Sequence, residues 1–381
     1  MQPSTLELGR YYRNALIFTV LLLTSLGLLA IYSSSSIPAE MKFHDSFFFV
    51  RKQSFVAALG FAAMSLLQVT SLRVIERLTL PLLILSACFL LLTLVPSFQL
   101  KVNGASRWVR LAFFSFQPSE LGKLAIILFL ARNLSRTSAR IDKRPIAILP
   151  NLGVLAGFAC LLMLQPDFGS TVVYAGITIV MLFVAGLSYR YIASALACSL
   201  IGAAAAIIHA PYRLARITSF LDPWESIRTG GFQIVQSYLG FHNGGLLGAG
   251  LGESRQKLFF LPEAHTDFIL SVIGEETGLL GVLLVLLCFA YIAWLGMQIT
   301  NLQSDTYRKF LAMGLSTLIS IQAIVNMGVA MGLLPTKGMP LPFVSYGSSS
   351  LLSFLLMVGI LARLAKVPPI QAHLTHQAAL R

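Results

Sequence analysis

The sequence predicts an all-α polytopic membrane protein with ten transmembrane helices, on three observations. Apolar residues make up 56% of the 381-residue chain, charged residues only 11%, and mean hydropathy is +0.78; a soluble domain would carry about 25% charged residues. Apolar runs long enough to cross a hydrocarbon core of about 30 Å recur along nearly the whole length. None has the alternation, in segments of about ten residues, that marks a transmembrane barrel.

The predicted spans are 14–34, 54–72, 78–96, 118–134, 145–164, 168–188, 191–210, 267–299, 310–333 and 345–367. The first lacks a cleavage site and is too long for the apolar region of a signal peptide, so it reads as a helix that stays in the membrane. Gln165-Pro166-Asp167 is all that separates the fifth and sixth, which form a tight polar hairpin. The run 267–299 is long enough to tilt or to emerge at one end. Residues 1–381 read as a single membrane domain, in which 211–266 forms a large extracytoplasmic loop between helices seven and eight. A loop of that length is functional or disordered, and its aromatic residues favour order. Cys88, Cys160, Cys198 and Cys288 all lie in apolar runs and read as small buried hydrophobes.

Lys and Arg set the orientation. With a cytoplasmic N-terminus, fifteen fall inside and twelve outside, or seven outside once the five in 211–266 are set aside. Both termini are therefore expected in the cytoplasm. The outer cations include Arg51 and Lys52 before the second helix, Lys257 before the eighth and Lys337 between the last two. Singly, such residues snorkel to lipid headgroups; as a set they favour an anionic ligand, since Lys and Arg are the usual phosphate partners.

Four constellations could carry chemistry. Within Gln117-Pro118-Ser119-Glu120-Leu121-Gly122-Lys123, Glu120 and Lys123 share a helix face. They either form a structural ion pair or hold Lys123 ready for phosphate. Asp167 either caps the sixth helix or serves a ligand at the hairpin mouth. The stretch 251–276 is the densest in polar chemistry. In it Thr266 or Asp267 is expected to cap the eighth helix, which places Asp267 by the positive end of the dipole as a general base. His265 is the rival base, or a residue that with Glu263 shapes the entry. Glu275 and Glu276, two turns on, must face the interior and find partners, because a lone carboxylate in lipid is costly. Finally, 334–350 carries three prolines and Lys337 in a rigid loop, tolerated at membrane depth where it packs on protein or lines a wet cavity. The glycine run 244–252 has neither a preceding strand nor a Gly-Lys-Ser/Thr end, which argues against a nucleotide site, and no nucleic-acid partner is expected.

In this order, Gly104-Ala-Ser-Arg-Trp-Val, Gln117-Pro-Ser-Glu, Gln165-Pro-Asp, Asp222-Pro-Trp, Leu261-Pro-Glu-Ala-His-Thr-Asp-Phe, Gly274-Glu-Glu, Leu334-Pro-Thr-Lys-Gly and Ser345-Tyr-Gly resemble the SEDS family, the shape, elongation, division and sporulation proteins of bacterial cell-wall synthesis. The match is better to the division branch than to the elongation branch. Ser348 departs from the family, which usually has a second glycine there. The resemblance implies a peptidoglycan glycosyltransferase that polymerises lipid II at the outer face of the cytoplasmic membrane. It puts the catalytic aspartate on Asp267 and conserved polar groups on Glu120, Lys123 and Asp167. Arg51, Lys52, Lys123, Lys257 and Lys337 are then candidates to neutralise the undecaprenyl diphosphate leaving group, and a divalent cation, Mg or Mn, is a further candidate that would bind through the substrate's phosphates. A class B penicillin-binding protein and other divisome proteins are the implied partners. A lipid II flippase or a non-catalytic division scaffold are the alternatives.

Overall fold

A computed structural model describes residues 4–102, 105–111, 114–141, 145–254, 256, 261–262 and 264–366. They form a helical bundle: α1 (Thr5–Phe43), α2 (Phe48–Val69), α3 (Leu72–Arg77), α4 (Thr79–Leu92), α5 (Pro118–Ile141), α6 (Leu149–Leu164), α7 (Phe168–Val184), α8 (Tyr189–Ile208), α9 (Pro211–Leu221), α10 (Phe232–Gly244), α11 (Ile269–Asn301), α12 (Thr306–Ala330) and α13 (Ser348–Leu364). Each of the ten predicted segments overlaps one of these helices. By length and composition six are able to cross a membrane, while α4, α7 and α13 are shorter apolar helices. The chain is a multi-pass membrane protein.

Local chemistry explains the principal elements. A capping box starts α1: Ser4 Oγ accepts from Glu7 N, and Glu7 Oε2 accepts from Ser4 N. At about 1.5 Å per residue its 39 residues are longer than a hydrocarbon core of about 30 Å is thick, so part of α1 extends past the core. The 33-residue α11 is broken at Gly278, whose φ of 67° lies in the left-handed region. There a Cβ would also collide with the backbone of Gly248, so only glycine fits. The core lies where α12, α13, α5 and α11 meet, and α2 packs along α13. At the other extreme α8 has no buried residue; its apolar side chains face outward, as suits a helix bathed in lipid.

Four expectations need correction. The fold is not wholly α-helical: β1 (Gln99–Val102), β2 (Ala105–Leu111) and β3 (Phe114–Phe116) form a small antiparallel sheet in sequence order. Trp108 and Val109 suit a pleated, half-buried surface, but the strands are too short to show a period. The segment 211–266 is more than a loop, since it holds α9 and α10, with α10 packed on α11. Cys88, Cys160 and Cys198 are exposed and only Cys288 is buried, because an apolar side chain here can face lipid as readily as core. Lastly, neither Thr266 nor Asp267 caps the helix that follows them: Phe268 occupies the cap, without a side-chain bond.

Candidate active site

The irregular segment 331–347 is gripped by three buried amides. Asn326, on α12, donates from Nδ2 to the Met339 carbonyl (2.6 Å) and to the Asp267 carbonyl (2.9 Å). One turn away, Gln322 donates to the Pro340 carbonyl at 3.1 Å. From α2, Gln53 donates to the Ser345 carbonyl (3.2 Å) and accepts from Gly347 N (3.3 Å). These bonds explain why irregular backbone survives at this depth, since its polar groups find partners within the protein. They also bring Asp267 against the loop. A Cβ on Gly338 would lie 3.1 Å from Asp267 Oδ2, so the half-buried carboxylate sits beside the residue that follows Lys337.

Lys337 in turn lies across the start of α7, where a Cβ on Gly169 would run into its side chain. Asp167 caps α7: Oδ1 accepts from Ser170 N (3.2 Å) and Oδ2 from Ser170 Oγ (2.7 Å). Its other neighbour is Arg107, on β2, with Nε 4.0 Å from Oδ1 and Nη2 donating to the Pro166 carbonyl at 2.6 Å. Burial lowers the Lys337 ammonium from its ordinary 10.5 to about 8; Asp167 opposes that fall, while Lys123 and Arg107 add to it. At neutral pH it stays protonated. A cavity of about 130 Å³ opens here, with Asp167, Lys337 and Gly338 in its wall.

Lys123 is close enough to Lys337 to repel its ammonium; the remaining predicted site residues have other neighbours. Glu120 and Lys123 are 2% and 1% exposed and paired at 2.7 Å, and Lys123 Nζ also donates to Gln322 Oε1 at 2.6 Å. Two of its three N–H groups are thereby committed, and the pair braces α5 against α12. Arg51 is exposed and pairs with Asp45, while Lys52 lies 4.2 Å over the Phe48 ring. Neither is joined to the Asp267–Lys337 group. His265 packs between Phe49 and Tyr346, with ring centroids at 4.8 and 5.6 Å. Lys257 and Glu263 lie outside the described residues. Glu275 and Glu276 are buried and bonded: Glu275 accepts from Ser254 Oγ, Asn243 Nδ2 and Gln256 N, and Glu276 from Ser33 Oγ.

Sequence reasoning missed the arginines of this cavity, Arg107, Arg213 and Arg216. Arg107 sits in the Gly-Ala-Ser-Arg-Trp motif, which is the available signal. As for a metal, no three His, Cys, Asp or Glu side chains converge among the described residues. Asp167 has both oxygens engaged.

A family model described as cell cycle protein, FtsW/RodA/SpoVE, matches residues 13–368. The chain belongs to this family. The probable peptidoglycan glycosyltransferase FtsW of Geobacter metallireducens is 43% identical over 355 residues, covering 93% of this chain and 94% of its own. Stage V sporulation protein E of Bacillus subtilis is 40% identical over 351 residues, covering 92% and 96%. Among solved structures, a chain of a peptidoglycan synthase complex, described for its coordination of polymerization and crosslinking, superposes with a TM-score of 0.74 at 29% identity, covering 92% of this chain and 96% of that one. The rod shape determining protein RodA of Thermus thermophilus gives 0.64 at 28% identity, covering 92% and 95%. These FtsW/RodA/SpoVE relatives match over nearly the full length, so the likeness spans the helical bundle.

Proposed function

We propose that the chain polymerises lipid II at the outer face of the cytoplasmic membrane, with Asp267 as the general base. It is a peptidoglycan glycosyltransferase of cell division, the activity for which its FtsW relatives are named. Asp267 accepts the proton of the acceptor's GlcNAc 4-hydroxyl. The oxygen attacks the anomeric carbon of the donor's MurNAc, undecaprenyl diphosphate departs, and α inverts to β. The observation that carries this reading is the seating of the Asp267 carboxylate against Gly338, beside Lys337 and the cavity at the start of α7. A base and a cation then flank one place where a sugar–diphosphate bond could lie.

The rest of the proposal concerns the setting. All ten predicted segments cross the bilayer with both termini in the cytoplasm, and 211–266 lies outside. A class B penicillin-binding protein cross-links the product, consistent with the likeness to a chain of a polymerising and crosslinking complex. Other divisome proteins place the pair at the septum. A magnesium or manganese ion, where one takes part, binds through the substrate's phosphates.

The test places purified protein, with its partner, in liposomes with labelled lipid II and measures polymer and translocation together. Polymer from wild type and none from Asp267→Asn is the expected result. Translocation unaffected by the substitution, with no polymer from wild type, would establish the flippase instead.

A further inference from the structure

Glu275 and Glu276 are neighbours on α11, but only one of them is well supplied with donors. Glu275 accepts from three groups, whereas the Glu276 carboxylate, on a residue 5% exposed, accepts from Ser33 Oγ alone among the described residues. An ionised carboxylate has about four acceptor sites, and leaving it short of donors in an apolar setting is costly. Both Glu276 and Ser33 line a cavity of about 580 Å³ between α1 and α11. The two helices run antiparallel there, with Ser33 bonded to Glu276 and Tyr11 Oη 3.2 Å from Tyr291 Oη. The cavity is therefore graded: Ser33, Ser36 and Glu276 stand at one end, and Leu26, Leu29, Leu280 and Leu284 run to the other. From Ile273 to Val285 it follows α11 for about 18 Å at about 1.5 Å per residue, near the depth of one leaflet of a hydrocarbon core about 30 Å thick. No charged residue falls in 279–301 or in 14–33, stretches of about 34 and 30 Å. Both helices thus put the polar end of the cavity at the same membrane boundary.

We propose that this cavity binds one membrane phospholipid with a primary ammonium headgroup, its ammonium at Glu276 and one acyl chain between α1 and α11. A primary ammonium brings three N–H donors and no acceptor, which is what the carboxylate lacks, and bonds between ionised partners are the strong ones. A choline headgroup has the charge but no N–H to donate. A glycerol headgroup has hydroxyl donors but a net negative charge. The described residues of the wall include no Lys, Arg or His, so an anionic lipid would meet Glu276 as a like charge. In an ethanolamine lipid the phosphate is balanced by the lipid's own ammonium.

The apolar end gives the chain a way in. Leu29 and Leu280 are both exposed, so the cavity opens sideways toward the bilayer. Its volume falls in the range of about 300–1,000 Å³ usual for small-molecule sites. A helix from a partner fits less well: about 10 Å across and about 5.4 Å per turn, it would fill the space in less than two turns. A lipid held here would join α1 to α11 at the level of Gly278, where α11 is broken. The site is independent of the glycosyl transfer proposed above and lies apart from Asp267 and the cavity at the start of α7, with no residue in common.

The test is native mass spectrometry of the delipidated full-length chain in an equimolar mixture of phosphatidylethanolamine, phosphatidylcholine and phosphatidylglycerol with the same acyl chains. For the first lipid bound, wild type should prefer phosphatidylethanolamine over either of the others by ~10-fold or more, the scale of one hydrogen bond to a charged group. Glu276→Gln keeps an acceptor for Ser33 and should abolish that preference at an unchanged melting temperature. Leu280→Trp lies at an exposed position, so it keeps the fold while filling the groove, and should lower occupancy by the first lipid several-fold. Equal uptake of the three lipids by wild type, the mark of annular lipid alone, would overturn the inference. So would a preference for phosphatidylglycerol, or an ethanolamine preference intact in Glu276→Gln. Unchanged occupancy in Leu280→Trp would overturn it even if Glu276→Gln failed to fold. With the partner penicillin-binding protein bound, the lipid should be retained; its loss would assign the cavity to a partner helix instead.

Discussion

Lys337 is the residue whose chemistry depends most on where the fold puts it. Its ammonium lies in a cavity with three arginines and is lowered to about 8 by burial. A phosphate contact that needs its charge is therefore present at pH 7 and fades as pH rises through about 8. Prenyl diphosphate binding should weaken across that range, and Lys337→Arg, whose guanidinium stays charged, should flatten the profile. Unfolding does not mimic this effect. Between about 8 and 10.5 the unfolded chain binds more protons at Lys337 than the folded one, so the folded state gains stability with pH there. A binding curve identical in wild type and Lys337→Arg would remove Lys337 from the ligand set. At this scale Asp267, Asp167, Glu120 and Lys123 stood out in the sequence because charge in an apolar chain is costly and conspicuous. Arg51 and Lys52 stood out for the same reason, yet they sit in an exposed pair and over an aromatic ring. Arg107, Arg213 and Arg216 went unread because only the tertiary fold brings β2 and α9 to one cavity.

Among the elements, α11 carries the heaviest constraint. Its break at Gly278 combines a φ of 67° with close approach of residue 248, so Gly278→Ala should destabilise by about 1–3 kcal/mol. Gly157 on α6 has open space around it, and Gly157→Ala should stay within about 0.5 kcal/mol; thermal melts in detergent compare the two. Glu275 on the same helix accepts from Ser254, Asn243 and Gln256, tying the segment after α10 to the bundle. Glu275→Gln turns one acceptor into a donor facing donors and should cost about 1–3 kcal/mol. Hydrogen exchange should rise in 244–254, and unchanged protection there would deny Glu275 this anchoring role. The burial of both glutamates followed from the cost of charge in lipid. The absent cap at Asp267 did not follow, because cap chemistry at a loop end cannot show where the first helical turn closes. Nor did the sheet, whose strands are too short for a period of two to stand out.

For the whole molecule, membrane character follows from composition alone, and each apolar segment overlaps a helix. The threading of those helices through the bilayer is a separate matter, resting on the Lys and Arg balance. In a cysteine-free background, an impermeant maleimide should label Leu247→Cys on intact spheroplasts and Ser304→Cys only after permeabilisation; both positions are exposed. The reverse pattern would invert the topology and put the proposed site in the cytoplasm. What joins the three scales is the claim that Asp267, held by Asn326 and Gly338 beside a basic cavity, removes the acceptor's proton. The measurement that tests it most directly is the rate of glycan polymer formation from labelled lipid II by the purified chain with its partner, compared with Asp267→Asn at equal prenyl diphosphate affinity. The account predicts a fall on the order of 10²–10⁴-fold, whereas polymer formed at the wild-type rate would contradict it.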